Sequence, residues 1–200
     1  MDLENHYLEI PKDLGLKIHT EFRKVRRKNL NGLGAKTFLE RFVKPSAKSS
    51  GFDEDELANY GLSYVFGRKS FNHFRGRRNL FYSDTFYRIM LTHREWPISF
   101  SSFQFVKNPE EAILIGQIQG IKGAEASLSP LRWPNALVNF VLDLARESNI
   151  PEVWILPWEK NQWNNNEVKG NPIMYYDITA KREGFDYDEK MEVYRKNVDS

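Results

Sequence analysis

The sequence predicts an α/β fold with a mixed, mainly antiparallel central sheet that is flanked by helices, with an N-terminal helical extension. Two observations predict this fold. In the middle of the chain, apolar and polar residues alternate with the period of two that is typical of strands. In the last third, an amphipathic helix is followed by a short apolar strand, a second helix and a closing strand, an alternation typical of α/β proteins.

The N-terminal part of the chain, residues 1–60, is predicted to be a helical segment that packs on the core of an α/β domain formed by residues 61–200. Apolar residues in 13–44 recur at helical spacing, and Asn31–Gly34 is a break before a second helix over Ala35–Val43. The run at 44–56 is rich in Pro, Ser and Gly and then acidic, so it is predicted to be a loop or linker, and Asp53 could cap a short helix over Glu54–Tyr60.

The antiparallel part of the sheet is predicted from three stretches of β-forming or alternating residues: Thr85–Thr92, Ile98–Val106 and Ala112–Ile121. The turn at Asn108–Glu111 joins the last two stretches into a hairpin. The first part of residues 64–88 is expected to be irregular or helical, with the strand region beginning near Leu80.

A long amphipathic helix is predicted over Pro134–Ser148, with Pro134 at its first position. Its apolar stripe consists of Ala136, Leu137, Phe140, Val141, Leu144 and Ala145. Asn149 and Pro151 end the helix, and the buried strand that begins at Val153 could then run parallel to an earlier strand.

Composition excludes several classes of site. Cysteine is absent, which removes disulfides, thiol catalysis and cysteine-based zinc sites. The four histidines form no i,i+4 pair, so no metal site is predicted.

The net charge of +2 gives no overall electrostatic argument for nucleic-acid binding. No apolar run is long enough for a membrane helix and the acidic N-terminus is not a signal peptide, so we expect a cytoplasmic protein without a membrane partner.

Four segments resemble the GNAT fold, the family of acetyl-CoA-dependent N-acetyltransferases, over about residues 98–198. The central hairpin of that family is similar to SSFQFVKNPEEAILIGQIQG, and its acyl-CoA strand, loop and helix are similar to SLSPLRWPNALVNFVLDLARE. The next strand of the family, with a trailing Asn161, resembles EVWILPWEKN, and the last helix, with its Gly184–Phe185 ending, resembles YYDITAKREGF. The resemblance implies an N-acyltransferase that uses acetyl-CoA or another acyl-CoA on an amine acceptor, which the sequence does not name.

The family binds its cofactor with a loop of the form Arg/Gln-x-x-Gly-x-Gly/Ala before the long helix. Glycines there let backbone N–H groups approach the pyrophosphate at the helix N-terminus. The resemblance implies that the cofactor-binding residues are Leu128, Arg132, Asn135, Ala136 and Asn161. Two departures are visible: Asn135 and Leu137 stand at the glycine positions, and Pro134 removes one N–H donor. Arg132 could instead be a surface arginine stacked on Trp133, and Asn161 could be a capping or turn residue.

Catalysis in that family needs an acid for the leaving thiolate and a base for the attacking amine. The family often has the acid, a tyrosine, four residues before Gly-Phe, but that position here is Ala180. The resemblance leaves Tyr176, one turn earlier, as the acid and Glu125 as the base. The alternatives are a packed tyrosine and a solvated loop carboxylate. Gln117 and Gln119 are either ligand contacts of a cleft or groups satisfied across the sheet.

A different class of function remains open, that of a non-catalytic binding module for nucleic acid or a protein. Arg68, Arg75, Arg77 and Arg78 are interleaved with phenylalanines, a pattern typical of surfaces that bind phosphates and stack on bases. The alternative is a solvated arginine-rich loop. The segment Arg132–Leu137 separates the two functions: a pyrophosphate cradle favours the enzyme, and a loop sealed by Trp133 and Pro134 favours the module. The oligomeric state is not predicted.

Overall fold

A seven-stranded mixed sheet forms the centre of the computed structural model, which describes residues 39–46, 54–66, 69–74, 77–82, 85, 87–106, 111–161 and 173–198. The strands, in chain order, are β1 (Tyr60–Phe66), β2 (Lys69–Phe74), β3 (Arg77–Tyr82), β4 (Tyr87–His93), β5 (Trp96–Val106), β6 (Ala112–Gly120), β7 (Glu152–Ile155), β8 (Asp186–Asp188) and β9 (Val193–Asn197). The helices are α1 (a π-helical turn, Leu39–Val43, continued by Lys44–Ser46), α2 (Glu54–Leu57), α3 (Glu125–Leu128), α4 (Trp133–Glu147) and α5 (Ile173–Arg182), with a 3-10 turn at Trp158–Lys160.

The strand order in the large sheet is β1-β4-β5-β6-β7-β9-β8, and β2 and β3 form a separate hairpin. Neighbouring strands of the large sheet are antiparallel except β6 and β7, which are parallel because α4 crosses over between them. The predicted mixed, mainly antiparallel sheet flanked by helices is therefore confirmed. The described helices are each too short or too polar to cross a membrane.

The prediction for the segment before β4 was wrong in part. Residues 64–66, at the end of β1, and residues 69–74, in β2, are strands, where the sequence indicated irregular or helical structure. The reason is that β1 gains its hydrogen-bond partners from β4, with Tyr60 opposite His93 and Phe66 opposite Tyr87. Such distant pairing overrides the weak local signal of a segment that mixes arginines with aromatic residues.

The N-terminal helical segment is described only in part. The helix expected over Ala35–Val43 is seen from Leu39 onward, where it is a π-helical turn, and residues 1–38 lie outside the described residues. The short helix expected after Asp53 is present as α2. The division at residue 60 remains a prediction.

Helix α4 covers one face of the sheet with the predicted apolar stripe. All six residues of that stripe are buried, and Leu137, Val141 and Ala145 are fully buried. Phe140 also meets the ring of Phe42 edge-on, with 5.6 Å between centroids, which attaches α1 to the outer side of α4. Burial of this stripe fixes the position and direction of the N-terminus of α4 relative to β6.

We expect Leu137→Ala to lower the free energy of unfolding by about 2–5 kcal/mol, because it leaves a cavity at a fully buried position. Chemical denaturation followed by tryptophan fluorescence measures the loss. Glu147→Ala, on the exposed end of the same helix, is the control and should change stability by less than about 0.5 kcal/mol. Equal effects of the two changes would show that the helix does not pack on the sheet.

Candidate active site

Strands β6 and β7 separate after a short parallel pairing. They pair over Ala112–Ile115 and Glu152–Ile155, and β6 then continues alone on that side to Gly120. The separation coincides with a bulge in β6: Ser102 faces Gln117 and Phe103 faces Ile115, which leaves Gly116 as an extra residue. Because a bulge bends its strand, β6 leaves the line of β7 at this point. We call the space beyond Ile115 and Ile155 the strand gap.

Two buried side chains reach β6 across the strand gap. Asn161 donates from Nδ2 to the carbonyl oxygen of Gly116 at 3.0 Å and to the hydroxyl of Tyr176 at 3.2 Å. The backbone N–H of Ile118 donates to the same tyrosine hydroxyl at 3.2 Å. The exposed fractions of Asn161 and Tyr176 are only 4% and 3%. Side chains thus supply the partners that a strand would otherwise give to β6.

Local structure brings these two residues to the strand gap. Asn161 directly follows the 3-10 turn after β7, and its N–H donates to the carbonyl of Trp158 at 3.0 Å. Tyr176 lies on α5, and Ala180, one turn later on the same face, is fully buried. The small Ala180 and the larger Tyr176 therefore both face the core, with the Trp158 ring 5.7 Å from that of Tyr176.

Gly116 is required at the bulge for a steric reason. A Cβ at this position would lie 2.9 Å from Cγ2 of Thr85, which is closer than real contacts allow. The absence of a side chain lets Thr85 pack against the β6 backbone.

The loop before α4 offers few backbone N–H groups to a phosphate. Pro134 has no N–H, and the N–H groups of Asn135 and Ala136 donate to the carbonyl of Arg132 at 3.0 and 3.3 Å. Trp133 and Pro134 are buried, while the Arg132 side chain is exposed. Few backbone donors of the first turn are left for an anion, which the family's glycines would provide.

Neighbouring elements hold this closed loop in place. The ring of Trp133 lies 5.0 Å from that of Tyr175, and a Cβ at Gly120 would come within 3.5 Å of it. The side-chain amide of Asn135 donates to the carboxylate of Glu183, at the end of α5. The loop is therefore packed between β6 and α5.

The remaining predicted site residues lie on or near α3. Glu125 is exposed, and a hydrogen bond from the Gly123 N–H at 3.0 Å is the main cause that lowers the pKa of this carboxyl. The role of Glu125 as the general base stays a prediction. Leu128 is buried and belongs to the core under Gly120.

A buried polar row crosses the other part of the sheet, with Arg88 opposite Ser102 and Ser102 opposite Gln117. Gln117 also donates to Gln119 at 2.8 Å, so the two glutamines form a pair. The guanidinium of Arg88 lies 5.4 Å from the Phe100 ring, and burial lowers the pKa of this arginine. The sequence carries a signal for the burial of Arg88, because the residues that follow it in the strand, Ile89–Leu91, are apolar.

Two of the four arginines that indicate a nucleic-acid surface lie among the described residues. Arg68 and Arg75 lie outside the described residues, and Arg77 and Arg78 lie on β3 opposite Phe74 and His73. Among the residues that the structure describes, no group of three acidic or histidine side chains could hold a metal ion.

Comparisons with known proteins give likeness of fold only. No family model and no curated protein matches the chain. An acetyltransferase of the GNAT family from Listeria monocytogenes is 12% identical, with a TM-score of 0.38, over 55% of this chain and 63% of that one. A mutant of the toxin AtaT, bound to the C-terminus of the antitoxin AtaR, is 7% identical, with a TM-score of 0.40, over 70% and 94%.

A third solved structure, assigned as a streptothricin acetyltransferase from Bacillus anthracis in complex with acetyl coenzyme A, is 12% identical, with a TM-score of 0.25, over 52% of this chain and 70% of that one. The chain thus spans less than two thirds of the Listeria protein. The element order itself is GNAT-like: an antiparallel hairpin, a long helix, a parallel strand, a second helix that ends at Gly184–Phe185, and closing strands.

We expect Tyr176→Phe to lower the free energy of unfolding by about 1–3 kcal/mol, because the N–H of Ile118 and the amide of Asn161 lose a buried acceptor. Thermal and chemical denaturation measure this loss. Tyr175→Phe is the matched control on the exposed neighbour and should change stability by less than about 0.5 kcal/mol. If both variants unfold like the unaltered protein, the hydrogen bonds in the strand gap do not form.

Proposed function

We propose that this chain transfers an acyl group from a thioester, acetyl-CoA or another acyl-CoA, to an amine, with the reacting carbonyl in the strand gap. The single observation that carries the proposal is the N–H of Ile118, which points into the gap and is held there by a tyrosine hydroxyl at 3.2 Å. A backbone N–H fixed in a buried site is the type of group that stabilises the oxyanion of acyl transfer.

The residues of the strand gap have complementary chemical roles in this proposal. Acyl-CoA supplies the activated acyl group. The N–H of Ile118 donates to the carbonyl oxygen once the hydroxyl of Tyr176 releases it. A tyrosine hydroxyl is both donor and acceptor, so Tyr176 can then hold the proton that a leaving sulfur needs. Asn161, bonded to Gly116 and to Tyr176, keeps the tyrosine within reach of β6.

The acyl-pantetheine half and the nucleotide half of acyl-CoA fit this chain differently. The strand gap offers a hydrogen-bond donor and an acid to the thioester, but the loop at Arg132–Ala136 has its N–H groups bonded internally or missing. The nucleotide half is therefore held by exposed side chains such as Arg132. It follows that most of the affinity comes from the acyl and pantetheine parts.

Titration calorimetry with S-acetylpantetheine and with acetyl-CoA tests this proposal. We expect both to bind, with dissociation constants within about tenfold, or about 1.4 kcal/mol, since the closed loop adds little affinity for the diphosphate. Arg132→Ala should weaken acetyl-CoA binding by no more than about 1.4 kcal/mol, the tenfold difference between the two thioesters, and leave S-acetylpantetheine binding unchanged.

A measurement of turnover with the same thioesters distinguishes catalysis from binding. Thiol release in the presence of a set of primary amines should fall in Tyr176→Phe and persist in Tyr175→Phe. No heat from either thioester at millimolar concentration would reject the enzyme.

The second candidate function, a non-catalytic binding module, is favoured by one specific observation, the buried Trp133 and Pro134 that close the loop. A chain that has replaced its phosphate donors with core residues can keep the fold and bind a different partner. The sequence pattern of Arg68, Arg75 and the adjacent arginines indicates nucleic acid as that partner.

Fluorescence anisotropy with single-stranded and duplex probes at low salt tests the module. Changing Arg75, Arg77 and Arg78 together to Ala should lower both the affinity and its salt dependence, because fewer counterions are released on binding. Lys181→Ala with Arg182→Ala, two exposed cations on α5, is the control. A flat titration with both probes would reject nucleic-acid binding.

A further inference from the structure

Three polar side chains from three separate elements form a hydrogen-bonded chain outside the strand gap. His93, at the end of β4, has its Nε2 2.9 Å from Oε1 of Glu56 on α2. Its other ring nitrogen, Nδ1, is 3.0 Å from Oγ of Ser127 on α3. The order of groups is hydroxyl, imidazole, carboxylate, which is the order that activates a serine nucleophile.

The partners determine the direction of each hydrogen bond. An ionised carboxylate can only accept, so Nε2 of the neutral imidazole carries the hydrogen and donates it to Glu56. The other nitrogen, Nδ1, is then an acceptor, and the hydroxyl hydrogen of Ser127 points at it. The imidazole is thus set as a base toward Ser127, and this arrangement follows from the contacts alone.

Surrounding groups fix the three residues. The ring of Tyr60 packs on His93 at 4.7 Å, and its hydroxyl donates to the carbonyl oxygen of Ser127 at 2.7 Å. Burial, followed by the charge of Glu56, raises the pKa of Tyr60 to about 12, so this hydroxyl stays protonated. The amide of Asn59 donates to the second oxygen of Glu56 at 3.3 Å.

All three side chains are partly exposed. The side chain of His93 is 14% exposed and that of Glu56 is 42% exposed, while Ser127 is half-buried. Partial burial suits a nucleophile, because packing holds the base in one orientation while the attacking oxygen stays in contact with solvent.

We propose that Ser127 is a nucleophile toward activated carboxylic esters, with His93 as its general base and Glu56 as the residue that positions the imidazole. As the Ser127 Oγ–carbon bond forms, Nδ1 of His93 takes the hydroxyl proton. The bond from carbon to the leaving alcohol breaks, and that alcohol takes the proton from Nδ1. Water then attacks the acyl-serine by the same route, which releases the acid and restores Ser127.

Covalent labelling tests nucleophilicity directly. The full-length protein is treated with a fluorophosphonate probe, and the modified residue is located by peptide mass spectrometry. We expect the adduct on Ser127, and we expect His93→Gln to slow labelling by about 100-fold or more, the usual contribution of a general base. Hydrolysis of p-nitrophenyl acetate should fall in parallel.

Ser129→Ala is the matched control, because Ser129 is an exposed residue two positions along the chain, and its hydroxyl donates to the carbonyl oxygen of Ala126 at 3.1 Å. It should label like the unaltered protein. For Glu56→Gln, nitrogen-15 shifts of His93 should show loss of the Nε2–H tautomer together with slower labelling, whereas a purely structural role would leave the tautomer unchanged.

Adduct mapping on the unaltered protein needs no variant, so it decides the proposal even if His93→Gln fails to fold. The protein and a known serine hydrolase are treated with the probe at about 1 mM, in the range of weak millimolar binding. An adduct on the hydrolase but none on Ser127 would overturn the proposal. Equal labelling of Ser127 in the His93→Gln variant would overturn the role of the imidazole. Neither outcome bears on acyl transfer in the strand gap.

Discussion

The separation of β6 from β7 is the constraint on which the centre of this molecule depends. A strand that loses its neighbour inside a protein leaves N–H and C=O groups without partners, and burial of such groups is costly. Here the bulge at Gly116 coincides with the separation, and Asn161 and Tyr176 make two hydrogen bonds to the β6 backbone and one to each other. The positions of the 3-10 turn and of α5 follow from the need to deliver these two side chains.

The closed loop before α4 shows how the same fold can exchange ligand binding for packing. Glycines at a helix start leave N–H groups free for an anion. In this chain, Pro134 removes one donor and Trp133 fills the space against Gly120 and Tyr175. The helix start therefore contributes apolar burial to the core instead of backbone donors for an anion.

The sequence predicted those parts of the fold that depend on local periodicity. The hairpin of β5 and β6 and the stripe on α4 follow from repeats of two and 3.6 residues, and β7 follows from a short apolar run after a helix. The strand β1 could not be predicted, because it forms by pairing with the distant β4. Among site residues, Asn161 and Tyr176 were reached through family resemblance. Leu128 is a buried core side chain, and its contact with a cofactor stays a prediction. Ser127, His93 and Glu56 come from three elements with no shared motif, so only the folded chain brings them together.

The aromatic residues around α5 give the molecule an internal optical reporter. Trp158 lies 5.7 Å from Tyr176 and Trp133 lies 5.0 Å from Tyr175, so two indoles flank two consecutive tyrosines. Any ligand that displaces the hydroxyl of Tyr176 must also shift the rings packed around it. Indole emission depends on its surroundings, and occupancy of the strand gap would therefore be readable from the intrinsic fluorescence of the unlabelled protein.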